Sequence, residues 1–183
     1  MRALVLTVIG KDQPGLVEAL SDVIAQHGGS WDESRMARLA GHFAGVVQIH
    51  IDEARAEGLI ATLPALASRG LSVNVVDSDW SLAVVDHCEP LRLEVVGQDR
   101  PGIVREISRT LAALGVSVQE LRTIIESAPM SGERLFRGEA ELILPTGVGF
   151  EEIRTALEKL ADDMVIDISL KTGQKSREEK RNT

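Results

Sequence analysis

The chain has 183 residues, of which 44% are apolar and 26% are charged, a composition that fits one large globular domain or two small ones. No apolar stretch reaches the roughly 20 residues of a membrane-spanning helix, and a net charge of −8 argues against holding nucleic acid by phosphate neutralisation. A single cysteine, Cys88, permits no internal disulfide, which favours a reducing, cytoplasmic location.

In the first half, an apolar run that ends in glycine predicts a strand, and Pro14 stands where the first residue of a helix is expected. That helix carries an apolar stripe and stops at Gly28-Gly29. Ala40-Gly41-His42 then predicts a hairpin turn, and a second helix and a last strand follow. The predicted ranges are strands 4–9, 30–38, 43–51 and 71–77, with the second helix over 53–68.

The second half repeats the first. Residues 6–17 read LTVIGKDQPGLV, and residues 93–104, 87 positions later, read LEVVGQDRPGIV. Further identities keep the same register: Gly28 with Gly115, Ser30 with Ser117, Glu33 with Glu120 and Arg35 with Arg122. Such register along two whole halves indicates a duplicated domain. The ranges predicted there are strands 91–96, 116–126, 135–144 and 165–170, a helix from Pro101 to Gly115, and a helix over 150–161.

The order β-α-β-β-α-β in both halves predicts an α+β protein of two ferredoxin-like domains in tandem, each an antiparallel sheet with its helices on one face. We expect the domains to span 1–77 and 91–170, joined by a linker over 78–90. The last segment, 171–183, contains five basic and two acidic residues and is expected to be a disordered tail.

The hexapeptide G-x-D-x-P-G, present in both halves, joins a strand end to a helix start. Free backbone N–H groups and the positive end of the helix dipole attract a carboxylate there, and Gly15 and Gly102 leave room for a ligand to approach the backbone. Asp12 and Asp99 add negative charge, so the loop suits a zwitterion such as an α-amino acid. The alternative is that Asp12 or Gln13 only caps the helix.

In this context the two segments resemble a tandem pair of ACT domains, small regulatory modules of amino-acid metabolism, over about residues 3–77 and 90–170. Stand-alone tandem pairs of this kind include the glycine cleavage system repressors. In that family ligands usually lie between paired modules, against the loop after the first strand. The resemblance therefore implies ligand-binding positions at Asp12, Gln13, Pro14, Gly15, Leu16, Asp99, Arg100, Pro101, Gly102 and Ile103.

The two loops differ at residues 13 and 100. Arg100 either holds an acidic ligand group through two hydrogen bonds or pairs with a surface carboxylate. Both readings leave open whether the two loops share one role.

The resemblance implies a non-enzymatic regulator, with no cofactor, that senses a small amino acid such as glycine. We expect it to be a cytoplasmic homodimer that contacts a transcriptional activator or a metabolic enzyme, and neither nucleic acid nor membrane. Two alternatives remain: a ligand-free protein–protein interaction module, and a regulatory subunit of a metabolic enzyme. The histidines match no metal-binding spacing.

Overall fold

The computed structural model describes residues 1–78, 90–128 and 132–172, and the chain divides into two compact units, Met1–Val84 and Val85–Thr183. The predicted linker, apart from its two end residues, and the basic tail beyond residue 172 lie outside the described residues. Within the described part of the chain, no helix is long and apolar enough to cross a membrane.

In the first unit, the described residues 1–78 form four strands, two helices and a short 3₁₀ helix. Its strands pair antiparallel in the order β2-β3-β1-β4, so the first strand lies in the interior of the sheet. The elements are β1 (Arg2–Lys11), α1 (Leu16–Gln26), β2 (Ser30–Leu39), β3 (His42–Ile51), α2 (Glu53–Thr62), the 3₁₀ helix (Leu63–Arg69) and β4 (Leu71–Ser78).

The second unit repeats this arrangement. Its sheet has the order β6-β7-β5-β8, again fully antiparallel. The elements are β5 (Leu91–Gln98), α3 (Ile103–Ala113), β6 (Ser117–Ser127), β7 (Arg134–Ile143), α4 (Phe150–Met164) and β8 (Ile166–Thr172). The α+β prediction of two ferredoxin-like units is therefore confirmed.

Alternation along the central strands gives each sheet one apolar face. Leu4, Leu6 and Val8 are buried on β1, and Leu91, Leu93 and Val95 are buried at the matching positions of β5. Because side chains alternate across a strand, these residues share the face that packs against the helices. Each unit thus has its own core, to which the first strand and first helix both contribute.

Both first helices begin later than predicted. Helix α1 begins at Leu16 and α3 at Ile103, two residues after Pro14 and Pro101. The predicted position of proline as the first helical residue is therefore wrong. The residue before each helix is a left-handed glycine, which no helical turn accommodates, so the helix starts only after it.

Other boundaries also differ from the sequence prediction, among them the end of the helix expected over 150–161, which continues to Met164. The helix expected over 53–68 ends at Thr62 and continues as a 3₁₀ helix, because Pro64 has no N–H to donate to an α-helical partner. Val165, expected to start the last strand, instead ends α4 in the left-handed conformation with φ +51°. The predicted hairpin turn at Ala40-Gly41 is confirmed, with positive φ at both residues.

Candidate functional site

The two loops after β1 and β5 share one backbone turn. Gly15 has φ 91° and ψ 1°, and Gly102 has φ 101° and ψ −6°, which are close to the values for the third residue of a type II turn. Pro14 and Pro101 occupy the position before them, where this turn favours proline. The last two residues of the hexapeptide are thus explained by the turn that connects strand and helix.

The first glycine of the hexapeptide allows two strands to approach closely. A Cβ on Gly10 would lie 2.2 Å from the carbonyl oxygen of Gly70, and one on Gly97 would lie 2.4 Å from Cγ2 of Ile166. Both distances are too short for a real side chain. The motif therefore fixes where the loop leaves the sheet in both units.

The aspartate of each loop is bound to the neighbouring hairpin. The Asp12 N–H donates to the carbonyl of Gly41 (2.9 Å), and Nε of Arg38 lies 2.9 Å from the Asp12 carboxylate. In the second unit, the Asp99 N–H donates to the carbonyl of Arg134 (2.8 Å), and the Arg134 guanidinium lies 3.0 Å from its carboxylate. Each carboxylate already contacts an arginine. The ammonium group of a ligand must therefore share the carboxylate with that arginine or displace it.

The variable position of the motif makes the same contact in both loops. Gln13 Nε2 donates to the carbonyl of Arg69 at 2.7 Å, and the Arg100 guanidinium donates to the carbonyl of Met164. Both acceptors lie at the end of the helix that precedes the last strand. The contact seen for Arg100 is thus to a backbone carbonyl, and not to the surface carboxylate considered from the sequence.

The residues that directly follow the two hexapeptides are buried. Leu16 and Ile103 are 4% and 2% exposed, so their side chains anchor the helices in the cores and present only backbone to the loop. Helix geometry leaves the first N–H groups of α1 and α3 without intrahelical acceptors, and neither helix has a side-chain hydrogen bond at its cap. The alternative in which Asp12 or Gln13 caps the helix is wrong, because the Asp12 carboxylate contacts Arg38 and the Gln13 amide donates to the carbonyl of Arg69.

The surroundings of the two left-handed glycines differ. The Glu18 carboxylate lies 3.6 Å from where a Cβ on Gly15 would be, whereas nothing lies within 4 Å of the same point on Gly102. An acidic group beside the first helix N-terminus competes with an incoming anion. Since α3 also has an acidic residue in its first turn, Glu106, the two loops differ here in the space around the glycine, which is larger at Gly102.

Comparison with known proteins identifies this arrangement. Residues 2–78 match the family model of the ACT domain. A crystal structure assigned as a glycine cleavage system transcriptional repressor superposes with a TM-score of 0.72 and 17% identity, covering 95% of this chain and 98% of that one, which shows a shared fold along both units. The chain therefore has an ACT domain over residues 2–78 and a second unit that repeats its fold and its loop motif. Its two units are called the first and second ACT modules below.

Two further relatives match nearly the whole chain. An unknown protein from Galdieria sulphuraria has a crystal structure with a TM-score of 0.78 and 27% identity, over 94% of this chain and 99% of that one. Phosphoserine phosphatase SerB2 from Mycobacterium tuberculosis is 30% identical over 173 residues. That match covers 92% of this chain, which spans only 40% of the length of the phosphatase.

The perturbed ionisable groups lie at the other end of β1 from the loop. Arg2 binds Asp77 through Nε (2.6 Å) and contacts Glu57 from α2 at 2.8 Å. The hydrogen bond from Arg2 holds the pKa of Asp77 below its ordinary value, and these carboxylates raise the pKa of Arg2. This cluster ties β1 to β4 and α2 in the first ACT module.

Sequence reasoning missed three residues around the loops: Arg38, Arg134 and Glu18. The signal for the arginines lies in the topology, because β1 and β3 run antiparallel and Lys11 pairs with His42. The hairpin tip and the loop therefore meet at one end of the sheet. Glu18 was recognisable as an acidic residue in the first turn of the helix.

Proposed function

We propose that this tandem ACT-domain protein is a non-enzymatic regulator that binds a small amino acid, with glycine as the first candidate. It acts by protein contact on a transcriptional activator or a metabolic enzyme, as a cytoplasmic homodimer. Binding regulates such a partner only if the amino acid has different affinity for two states of the assembly. The net charge of −8 favours action through a protein over direct contact with DNA.

One observation supports this proposal: a loop in which an aspartate is followed by a helix N-terminus occurs twice in one chain. The ligand carboxylate would meet the N–H groups at the start of α3, and its ammonium would meet Asp99. The open space above Gly102 favours a ligand of glycine size at the second loop. The binding positions remain those of the motif: residues 12–16 in the first module and residues 99–103 in the second.

The known relatives support a role in amino-acid metabolism. One is named a phosphoserine phosphatase and the other is assigned to the glycine cleavage system. The match to the phosphatase also favours a second candidate, a regulatory subunit of a metabolic enzyme, since a segment of like length lies within that enzyme.

Calorimetry on the full chain tests the first proposal, with glycine, serine and the other common amino acids as titrants. We expect heat of binding with glycine, and Asp99→Asn should weaken it roughly tenfold or more because a charge-assisted hydrogen bond is lost. Arg134→Ala is the matched control, since it removes the same ion pair but keeps the carboxylate and should preserve binding.

Asp12→Asn reports on the first loop and is expected to have the smaller effect. If no amino acid gives heat, the ligand-free interaction module replaces this proposal. If binding survives Asp99→Asn and Asp12→Asn alike, the amino acid binds away from both loops. An enzyme that co-purifies with the chain, and whose rate changes when the chain is added, supports the regulatory-subunit candidate.

A further inference from the structure

The second ACT module contains an apolar cavity between its first helix and its sheet. The cavity has a volume of about 30 Å³. Its walls come from β5, α3 and β7, through Leu93, Val95, Ile107, Leu111, Phe136 and Ala140, and every one of these side chains is buried. It lies inside the module, among residues that do not belong to the loop motif.

The mouth of the cavity is also apolar. Val104, Val118 and Leu121 border it and are 41%, 41% and 50% exposed. Ser108 contributes a hydroxyl group to the lining. Glu139 borders the cavity through its backbone, because its neighbours on β7 are buried and side chains alternate along the strand.

The internal repeat identifies two core positions at which the second module has smaller residues. In the first module, Trp31 and Met36 pack against the core from β2. The matching residues of the second module, 87 positions later, are Val118 and Thr123. An isopropyl group thus replaces an indole, and a short polar side chain replaces a flexible thioether.

The surroundings of two matching glycines, Gly45 and Gly138, show the same difference in packing between the modules. A Cβ on Gly45 would lie 2.5 Å from Cγ of Met36, so the methionine lies directly over that glycine. A Cβ on Gly138, the matching residue, would lie 3.8 Å from Cγ2 of Thr123 and 3.1 Å from the ring of Phe136. The phenylalanine covers part of the space, and the remainder is the cavity.

We propose that this cavity of the second ACT module binds the aliphatic end of a small molecule. A hydrocarbon-lined space excludes water and accepts an apolar occupant. Its volume is close to the roughly 30 Å³ that one water molecule occupies in the liquid, so it holds about one methyl-sized group. The exposed side chains at the mouth extend the apolar surface for the rest of a short branched or linear chain.

Xenon and isobutanol are suitable probes, followed by methyl-resolved NMR on the full chain. We expect both probes to shift the methyl signals of Leu93 and Ala140 in a saturable way. Val118→Trp installs the first-module residue and should abolish these shifts. Thr123→Met fills the same space with a smaller change, so it keeps the test valid where the tryptophan variant does not fold.

Trp31→Val is the matched control, because it should open an equivalent xenon site in the first module. The proposal is overturned by the absence of shifts with either probe in the wild-type chain, or by shifts that persist in both filling variants. Xenon shifts that disappear as the protein concentration rises and dimers form would assign the cavity to a second copy, which also overturns it. Asp99→Asn should leave the xenon shifts intact, which separates this test from that of amino-acid binding.

Discussion

Trp31 and Met36 pack against the core of the first module, whereas Val118 and Thr123 stand at the same places in the second. The strand order, the turn before the first helix and the bulge in the second strand are shared by both modules. The backbone of the fold thus tolerates a large change in the volume that fills it, at the cost of a cavity.

The open faces of the two sheets differ in charge. Val5, Thr7 and Ile9 occupy that face of β1, and at the matching positions β5 has Arg92, Glu94 and Val96. In the second module these charges form cross-strand ion pairs, such as Arg92 with Glu141 (3.9 Å) and Lys171 with Glu94 (3.3 Å). The helix-facing side, by contrast, stays apolar in both modules, because each core depends on it.

The two modules share some residues and differ at others. Positions that determine the chain path, such as the loop glycines, are kept in both modules. Positions that only fill space or face solvent have diverged, and the pairs of matching residues offer variants that probe each module against the other.

The largest difference is expected at the first glycine of the motif. In Gly10→Ala the new methyl meets a backbone carbonyl that cannot move aside, whereas in Gly97→Ala it meets the side chain of Ile166. We expect losses of stability of about 3 kcal/mol for the first and about 1–2 kcal/mol for the second. Amide hydrogen exchange of β1 and β5 measures each module separately. Equal losses would show that the strand spacing adjusts equally in both.

Exchanging one matching core residue between the modules compares the filled core of the first module with the cavity of the second. Val47 on β3 is fully buried, and its match on β7 is Ala140 at the cavity wall. Val47→Ala should destabilise the first module by about 2–3 kcal/mol, and Ala140→Val should stabilise the second by about 1 kcal/mol by filling space. The same hydrogen-exchange measurement applies, and a destabilising Ala140→Val would mean that the cavity closes in solution.

The ion pairs between loop and hairpin should contribute little in either module. Arg38 and Arg134 are largely exposed, so solvent screens their attraction to Asp12 and Asp99. Double-mutant cycles with alanine are expected to give a coupling of about 0.5 kcal/mol for each pair, and added salt should weaken it. A coupling several times larger in one module would assign that loop a rigid, preformed geometry.

The smallest expected effect is a pH dependence confined to the first module. The hydrogen bond from Arg2 lowers the pKa of Asp77, so folding favours the ionised carboxylate. Its contribution is present above the ordinary pKa of aspartate, near 4, and is lost as the pH falls through the lowered value. Asp77→Asn should flatten this acid dependence in hydrogen exchange of β4. Strand β8, which has Thr172 at the matching position, is the control and should be unchanged.

The repeat and the alternation of apolar residues were sufficient to predict the element order of both modules. Arg38 and Arg134 were missed because their contacts with the loops join residues distant in sequence. Pro14 and Pro101 were placed in the helix because their preference for its first turn is local, while the left-handed glycines after them were not recognised as part of a type II turn. The helix expected over 53–68 changed type at Pro64 for a reason that the sequence did contain.

The amino-acid sequence alone determined the duplicated α+β fold and the position of both loops, because hydrophobic periodicity and turn residues act over short distances. Only the tertiary structure decided which groups surround those loops. It placed Arg38 and Arg134 against the loop aspartates, directed Gln13 and Arg100 to helix-end carbonyls, and left a cavity beneath Val118. Such contacts depend on how packed strands and helices meet, and that geometry is not encoded in the spacing of residues along the chain.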